Sequence, residues 1–331
     1  MKKIIAVLLS ICILFSLTAC KSEKKDNNKK QTATSSQTNS NSSQSQTTNS
    51  NSQSQTSNSS QGGNNVSTTV PANVKDAGSD TKLKRDGTYK KYFTLGFDDG
   101  ITQDARIIEI LKKYNAYCAT FFINTGLFGK DWTSMVSQQE GVQVSHLRYT
   151  EAELKTGIYK GFDLECHGYS HAGLTNFDTR PEYLKKQILP DVSKIAEISG
   201  YKPVGLAYPV GPYTIDTIDN LLANTDIRFA RTINTTNSFK LPTNFMKWNP
   251  TAAIVDRNIL DVAQRFLDTE PTDSDMLFYV WGHGYNLDSS DYWDEFEALI
   301  KMLAEDGNVV FVTNAEFYQL FKDQIPSKGS K

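Results

Sequence analysis

The sequence predicts an α/β fold, a distorted barrel of seven parallel strands alternating with helices. Short apolar runs recur from residue 92 onward, and segments with helical spacing of apolar residues separate them. The part of the chain from roughly Lys82 onward, about 245 residues, is the size of one such barrel. The runs that predict strands are 92–97, 118–123, 162–166, 204–208, 228–233, 276–281 and 309–312.

Helices are predicted between these strands. The first covers 103–114, where Ile107, Ile108 and Leu111 recur at helical spacing. A long helix is predicted from about Thr179 to Ile198, and Pro190 is expected to kink or divide it. Further helices are predicted over 214–223, 291–305 and 314–321. Residues 124–150 lack a regular pattern and predict a loop-rich insertion, and the stretch before Met276 is weakly patterned.

Residues 1–20 predict an export signal. Two lysines precede an apolar stretch that is short for a membrane span, and the stretch ends in Leu-Thr-Ala-Cys, which resembles a bacterial lipobox. By that resemblance, Cys20 carries lipid and anchors the protein to the outer face of the cytoplasmic membrane. An ordinary secretory peptide or an uncleaved anchor are the alternatives.

Residues 21–81 predict a disordered tether, because Ser, Asn, Gln and Thr dominate them and they offer little apolar surface to bury. The folded domain is expected over residues 82–331. A net charge of −2 gives no reason to expect a nucleic-acid partner, and we expect a monomer. Cys118 and Cys166 are expected as buried free thiols, with a disulfide between them as the alternative for an exported chain.

Polar side chains follow three predicted strands where each one ends. Asp98 and Asp99 follow the first strand, His167 follows the third, and His283 follows 276–281. The carboxyl ends of parallel strands meet at one mouth, where such folds place their chemistry. We expect His146, in the insertion, to have no catalytic role.

His167 and His171 are four residues apart. On a strand they would lie about 13 Å apart, too far to share an ion, whereas on a turn they would be about 6 Å apart. Two surface histidines are the alternative interpretation, and strand-end turn chemistry is the alternative for Asp98 and Asp99. Taken together, two imidazoles and one carboxylate predict a three-ligand, zinc-type site with a second carboxylate as base and a third histidine as acid.

These residues resemble the motifs of the polysaccharide deacetylase family, carbohydrate esterase family 4, over about residues 92–321. The first motif stands as Gly-Phe-Asp-Asp-Gly at 96–100, the second as His-Gly-Tyr-Ser-His at 167–171, and a late strand ends in His283. The resemblance implies Asp98 as base, His283 as acid, Trp281 as a wall of the substrate pocket, and a divalent metal, zinc with cobalt or nickel as alternatives. The metal ligands that the resemblance implies are Asp99, His167 and His171.

The third and fourth family motifs are altered. The third stands as Ala-Tyr-Pro-Val-Gly-Pro-Tyr at 207–213 and lacks its arginine, which Arg231 is expected to replace. Tyr208, Pro209 and Gly211 are the expected substrate contacts, with a main-chain N–H near Val210 or Gly211 as oxyanion donor. In the fourth, no clear aspartate is available to orient His283.

The leading hypothesis is therefore metal-dependent removal of N-acetyl groups from a cell-surface or extracellular polysaccharide, either peptidoglycan or a poly-N-acetylhexosamine. An O-acetyl polysaccharide esterase is the second hypothesis. A carbohydrate-binding protein with impaired catalysis, suggested by the missing arginine, is the third.

Overall fold

The structure is a computed structural model that describes residues 70–71, 73–176 and 180–330. The predicted export signal, Cys20 and most of the predicted tether lie outside the described residues.

The described residues form a single parallel sheet. Seven strands follow one another in the order β5-β4-β3-β2-β1-β7-β6, and an eighth pairs only with the first three residues of β1. All pairings are parallel, so the predicted α/β class is confirmed. The two-residue β6 was not predicted. The strands are β1 (Lys91–Asp99), β2 (Ala119–Ile123), β3 (Asp163–Cys166), β4 (Gly205–Ala207), β5 (Phe229–Arg231), β6 (Ala252–Ala253), β7 (Met276–His283) and β8 (Val309–Phe311).

Residues 248–253 join the two ends of the sheet. Trp248 N–H donates to the carbonyl of Ala230 in β5 at 3.0 Å. Four residues later, β6 pairs with Val280 and Trp281 of β7. The sheet is therefore curled into a distorted barrel, as predicted, and an irregular segment completes its circumference.

Ten helices accompany the strands in the described residues. The predicted long helix is divided just before Pro190, where the π-helical turn Leu184–Ile188 separates α4 from α5. Helix α7 was missed by the sequence analysis. No helix among the described residues is both long and apolar enough to cross a membrane. The helices are α1 (Asp104–Lys113), α2 (Thr133–Glu140), α3 (Glu151–Lys155), α4 (Arg180–Tyr183), α5 (Leu189–Ser199), α6 (Ile215–Asn224), α7 (Ile259–Asp268), α8 (Gly284–Ser289), α9 (Trp293–Asp306) and α10 (Asn314–Phe321).

Both faces of the central strands are buried. Phe121 and Phe122 are adjacent in β2 and point to opposite faces, so each joins a different apolar cluster. All nine residues of β1 are buried as well. Cys118 and Cys166 are buried free thiols, as predicted. This packing on two sides fixes the strand ends that carry the polar residues.

The chain contacts the domain before residue 82. Ala77 is buried, and its N–H donates to the carbonyl of Lys202 at 2.9 Å. Gly78 lies so close to the backbone of Ala315 that a Cβ would meet it at 2.5 Å. These contacts lie in the segment that the sequence analysis assigned to the tether. The same segment borders a cavity of about 590 Å³, which Asp163 also lines.

Candidate active site

The two adjacent carboxylates at the end of β1 both face the mouth of the barrel. Neighbouring residues on a regular strand point to opposite faces. Asp99 departs from that geometry with a φ of 83°, a left-handed conformation that is uncommon for a residue other than glycine. As a result, His167 Nε2 lies 3.7 Å from Asp98 Oδ2 and 3.9 Å from Asp99 Oδ1.

The segment from His167 to His171 forms a tight turn after β3. Gly168 has a φ of 78° and His171 a φ of 57°, and His171 N–H donates to the carbonyl of Gly168 at 3.3 Å. The two imidazole centroids lie 4.8 Å apart. Of the two geometries considered for these histidines, strand and turn, the structure has the turn. The two rings are therefore close enough to share an ion.

Three buried side chains hold this turn in place. The amide of Asn124 donates to the carbonyls of His167 and Gly168, both at 2.7 Å. Asp191 accepts from His167 N–H at 3.1 Å, and burial raises the pKa of Asp191 to about 6. Gln187, in the π-helical turn, accepts from Ser170 N–H at 3.0 Å. π-Helical turns recur at functional sites, and here one positions a turn that carries two histidines.

Asp99, His167 and His171 bring one ligand atom each to within 4.8 Å of one another. Burial lowers the pKa of His167, and burial together with His167 lowers the pKa of His171 to about 4. Burial opposes the ionisation of Asp99, but the hydrogen bond from His146 and the nearby positive groups hold its pKa well below the ordinary value. Two neutral imidazoles and an ionised carboxylate are the protonation states that bind a metal.

These three side chains fit a divalent cation. Two imidazole nitrogens and one carboxylate oxygen form a donor set of catalytic zinc sites. Asp99 Oδ1 lies 3.8 Å from His171 Nε2 and 3.9 Å from His167 Nε2, compared with about 3.4 Å between ligands 2.1 Å from a tetrahedral ion. Among the described residues, His167 Nε2 is buried and has no hydrogen-bond partner. Its Nδ1 lies 2.9 Å from the carbonyl of Ala207, which fixes the ring so that Nε2 is the ligating atom.

Arg231 contacts Asp98. It was expected to replace the arginine that is missing from the third motif. It is the last residue of β5, only 1% exposed, and its Nη2 lies 2.5 Å from Asp98 Oδ2. Asp98 Oδ1 is buried and has no hydrogen-bond partner within the described part of the chain. One oxygen of Asp98 is therefore held by a guanidinium, and the other is available to accept a proton.

His283 lies on the opposite side of Asp98 from His167. The β1–β7 register pairs His283 with Asp98, and His283 Nε2 lies 3.9 Å from Asp98 Oδ2. Its Nδ1 lies 3.1 Å from Asn286 Oδ1, which also accepts from the His283 main-chain N–H. A neutral amide from α8 therefore orients the imidazole, where the sequence analysis found no aspartate.

His146 also lies in the site, although the sequence analysis expected no role for it. Its Nε2 lies 2.9 Å from Asp99 Oδ2, and Arg148 Nη2 lies 3.1 Å from Asp99 Oδ1. Both residues belong to the insertion between β2 and β3, whose irregular pattern gave no sign of where it folds. The Asp99 side chain is therefore surrounded by donors that sequence reasoning missed.

The expected substrate residues divide into two groups. Trp281 lies at the mouth, on the same face of β7 as His283, with Arg231 Cζ 4.4 Å from its ring centroid. Tyr208 does not offer its side chain to a ligand: it is 1% exposed, stacks on Tyr213 and donates to the carbonyl of Met246. The prediction for its side chain is therefore wrong, because the hydroxyl and ring are used in packing.

The loop after β4 still borders the site through its backbone. Pro209 is buried, and a Cβ on Gly168 would meet its ring at 2.9 Å. Gly211 N–H donates to the carbonyl of Tyr208 at 3.0 Å, so it is not the open oxyanion donor. Val210 is 59% exposed and has a φ of 63°, a strained conformation for a β-branched residue. Of the two expected oxyanion donors, the N–H of Val210 remains.

The family model for polysaccharide deacetylases matches residues 85–230. This stretch contains Asp98, Asp99, His167 and His171, the carboxylates and imidazoles that the structure brings together. The family model therefore supports, over residues 85–230, the expected resemblance to the polysaccharide deacetylase family. Arg231 and His283 come after the matched stretch, and the parallel sheet brings both to the same mouth.

Several solved structures are similar to this chain. Peptidoglycan deacetylase PdaC from Bacillus subtilis is 21% identical, with a TM-score of 0.43, and the match covers 71% of this chain and 93% of that one. A family 4 acetyl xylan esterase from Clostridium thermocellum, in complex with a cobalt ion, is 17% identical, with a TM-score of 0.45 and coverage of 72% and 95%. Streptococcus pyogenes deacetylase PplD in complex with acetate is 22% identical, with a TM-score of 0.36 and coverage of 47% and 62%. Among curated proteins, none matches this chain significantly.

Proposed function

We propose that this chain is a metal-dependent deacetylase that removes N-acetyl groups from a cell-surface or extracellular polysaccharide, such as peptidoglycan or a poly-N-acetylhexosamine, and releases acetate. One observation carries the proposal. A carboxylate and two imidazoles able to share an ion lie beside Asp98, which is held by Arg231 and has a free oxygen. This arrangement supplies the ligands and the base that hydrolysis of an amide requires.

Asp99, His167 and His171 are the residues that would hold the metal, and zinc is the metal we propose, with cobalt or nickel as alternatives. When bound, the ion supplies a Lewis acid that polarises the acetyl carbonyl and acidifies a water. The mixed nitrogen and oxygen donor set suits these metals better than calcium or magnesium, which prefer oxygen ligands alone.

Asp98 acts as the base in this proposal. Its Oδ1 accepts a proton from the attacking water, while the Arg231 guanidinium holds Oδ2 and stabilises the carboxylate. The water oxygen forms a bond to the acetyl carbon, and the N–H of Val210 is the proposed donor to the developing oxyanion. Arg231 is a positioning residue, because it contacts the base and not the substrate.

His283 acts as the acid. When the carbon–nitrogen bond breaks, its Nε2 gives a proton to the departing sugar amine, and Asn286 keeps the ring in position through Nδ1. The products are a free amine and acetate. Trp281, on the same face of β7, is the proposed wall against the acetyl methyl group.

The experiment measures acetate release from N-acetylglucosamine oligomers after the purified protein is supplied with zinc or cobalt. Turnover should stop with a chelator and return with added metal. The Asp98→Asn variant should be slower by about 10²–10⁴-fold, the contribution of a positioned base. Turnover that survives the chelator, or is unaffected by Asp98→Asn, would refute the proposal.

One observation favours O-acetyl ester hydrolysis as a second candidate function. The partner of His283 is a neutral amide, which stabilises an imidazolium less than a carboxylate would. An alkoxide leaves with less help from an acid than an amine does. The His283→Ala variant, assayed on acetylated xylan and on N-acetylglucosamine oligomers, separates the two functions. If His283→Ala loses turnover of the amide but keeps turnover of the ester, the parent enzyme acts on both substrates. If the parent itself does not turn over the amide, the protein is an esterase.

The observation that suggested the third hypothesis, a binding protein with impaired catalysis, has another explanation in this structure. The hypothesis was based on the missing arginine of the third motif, and Arg231 makes the contact to Asp98 that this arginine would make. Glycan binding by calorimetry without turnover at any metal supplied would bring the hypothesis back.

We also propose that the protein is exported as a monomer and held by lipid on Cys20 at the outer face of the bacterial cytoplasmic membrane. The tether would let the domain reach polysaccharide at a distance of roughly 40 Å from its anchor. Membrane fractionation of the parent and of a Cys20→Ser variant is the test. Equal retention of both proteins in the membrane fraction would contradict the lipid anchor.

A further inference from the structure

Asp99 is held by two side chains of the insertion, one on each carboxylate oxygen. His146 Nε2 lies 2.9 Å from Oδ2, and Arg148 Nη2 lies 3.1 Å from Oδ1. Oδ1 is also the oxygen that faces the two imidazoles, 3.8 Å from His171 Nε2 and 3.9 Å from His167 Nε2. Only one oxygen of Asp99 is therefore directed towards the other ligand atoms.

We propose that His146 and Arg148 are positioning residues that fix Asp99 as a one-oxygen ligand and thereby set the metal affinity of the site. This inference rests on the proposed function, in which Asp99, His167 and His171 hold a divalent cation. A carboxylate that turns about its terminal torsion can offer either oxygen or both. Because His146 holds Oδ2 and Arg148 holds the same group from the other side, the carboxylate is ordered before the metal arrives.

The contacts between the two residues determine which nitrogen of His146 carries the proton. Arg148 Nη1 lies 3.5 Å from His146 Nδ1, and a guanidinium can only donate. Nδ1 is therefore the acceptor, so Nε2 carries the proton and donates to Asp99. The Trp132 ring lies on both groups, 5.9 Å from the His146 centroid at 19° and 4.0 Å from Arg148 Cζ. This stacking fixes the planes of the imidazole and the guanidinium.

The backbone delivers the pair as a short extended segment. His146 and Arg148 are each 1% exposed, whereas Leu147 between them is 40% exposed and points outward. Main-chain hydrogen bonds hold the segment from two sides. They join Trp132 N–H to His146 O at 3.0 Å, Arg148 N–H to Lys130 O at 3.1 Å, and Thr102 N–H to Leu147 O at 2.9 Å. Leu147 therefore provides a matched control position in the same segment.

The experiment measures cobalt(II) affinity of the metal-free protein by competition with a chromophoric chelator, without any turnover. The His146→Leu variant, which removes the donor to Asp99 Oδ2, should bind cobalt about 10–100-fold more weakly. The His146→Gln variant keeps a side-chain N–H donor and should recover most of the affinity. The Leu147→Ala variant should bind like the parent. Arg148→Lys, which keeps the charge without the guanidinium fork, should be weaker than the parent.

Circular dichroism establishes whether each metal-free variant is folded, and if His146→Leu does not fold, the affinity of Arg148→Lys decides the question. Parent-like affinity in the folded His146→Leu and Arg148→Lys variants would overturn the inference and leave the proposed function intact. A parent protein that binds no cobalt would overturn both. The result expected is weaker binding in His146→Leu and Arg148→Lys, with most of the affinity kept in His146→Gln and no change in Leu147→Ala.

Discussion

Replacing Arg231 by methionine tests whether this arginine serves the base. Arg231 and Asp98 are 1% and 2% exposed, and their Nη2 and Oδ2 atoms are 2.5 Å apart. Removing one member of a buried ion pair leaves the other charge unpaired, which costs about 3–5 kcal/mol. For a domain of this size that corresponds to a fall of roughly 6–20 °C in Tm.

The effect of Arg231→Met on catalysis follows from the same contact. With its Oδ2 released, the Asp98 carboxylate is free to turn its open oxygen away from the attacking water. A misplacement of about 1 Å costs roughly 10²-fold in rate, so we expect kcat to fall by about 10²–10³-fold. The control is Arg228→Met, three residues earlier. Within the described part of the chain, the Arg228 guanidinium donates to the carbonyls of Thr225 and Ile227 and makes no contact with Asp98, so its loss should leave kcat unchanged.

A double-mutant cycle distinguishes a positioning role from a direct one. If Arg231 acts only through Asp98, adding Arg231→Met to Asp98→Asn should slow the reaction no further, because the base is already absent. The assay is acetate release per enzyme at saturating metal, with Tm measured for every variant. Rate losses that multiply in the double variant would refute the reasoning and assign Arg231 to the substrate.

Three further predictions come from individual side chains. Asn286→Asp places a carboxylate against His283, so the alkaline limb of the pH–rate profile should move to higher pH; an unmoved limb would contradict the role of His283 as acid. Burial raises the pKa of Asp163 to about 7. The unfolded chain loses this proton near pH 4, whereas the folded chain keeps it until about pH 7. The free energy of unfolding should therefore fall as the pH rises from 4 to 7, by up to about 4 kcal/mol. Asp163→Asn should remove this contribution to the pH dependence. Chemical denaturation at pH 4 and pH 8 measures the difference in the free energy of unfolding between variant and parent, and an equal difference at both pH values would contradict the prediction. Val210→Gly should raise the free energy of unfolding by about 1 kcal/mol, because glycine accepts the positive φ without strain, and an unchanged Tm would count against strain there.

The sequence predicted those parts of the fold whose pattern is local. The strands that end in Asp98, His167 and His283 are apolar runs next to polar residues, and a parallel sheet brings their ends together. Helix α7 was missed although Ile259, Val262 and Phe266 recur at helical spacing. The residues around it have no regular spacing of apolar side chains, so the sequence analysis included this helix in the weakly patterned stretch before β7.

The site residues outside these strand ends differ in how far sequence could find them. Arg231 was expected because the third family motif lacks its arginine and Arg231 lies at the end of a predicted strand, and the curl of the barrel brings the end of β5 to Asp98. His146 and Arg148 gave no such signal, because an insertion of irregular pattern can fold anywhere along the mouth. The left-handed φ of Asp99 was equally hidden, since only tertiary packing requires it.

All four histidines of the chain lie in this one cluster. A protein labelled with ¹⁵N only at histidine would therefore give an NMR spectrum with no background from elsewhere in the molecule. The resonances would be distinguishable by their chemistry, because two rings give a lone pair to an added cation, one ring is held by Asn286, and one donates to Asp99. A titration with a diamagnetic cation would then follow the whole centre, ring by ring, in a single experiment.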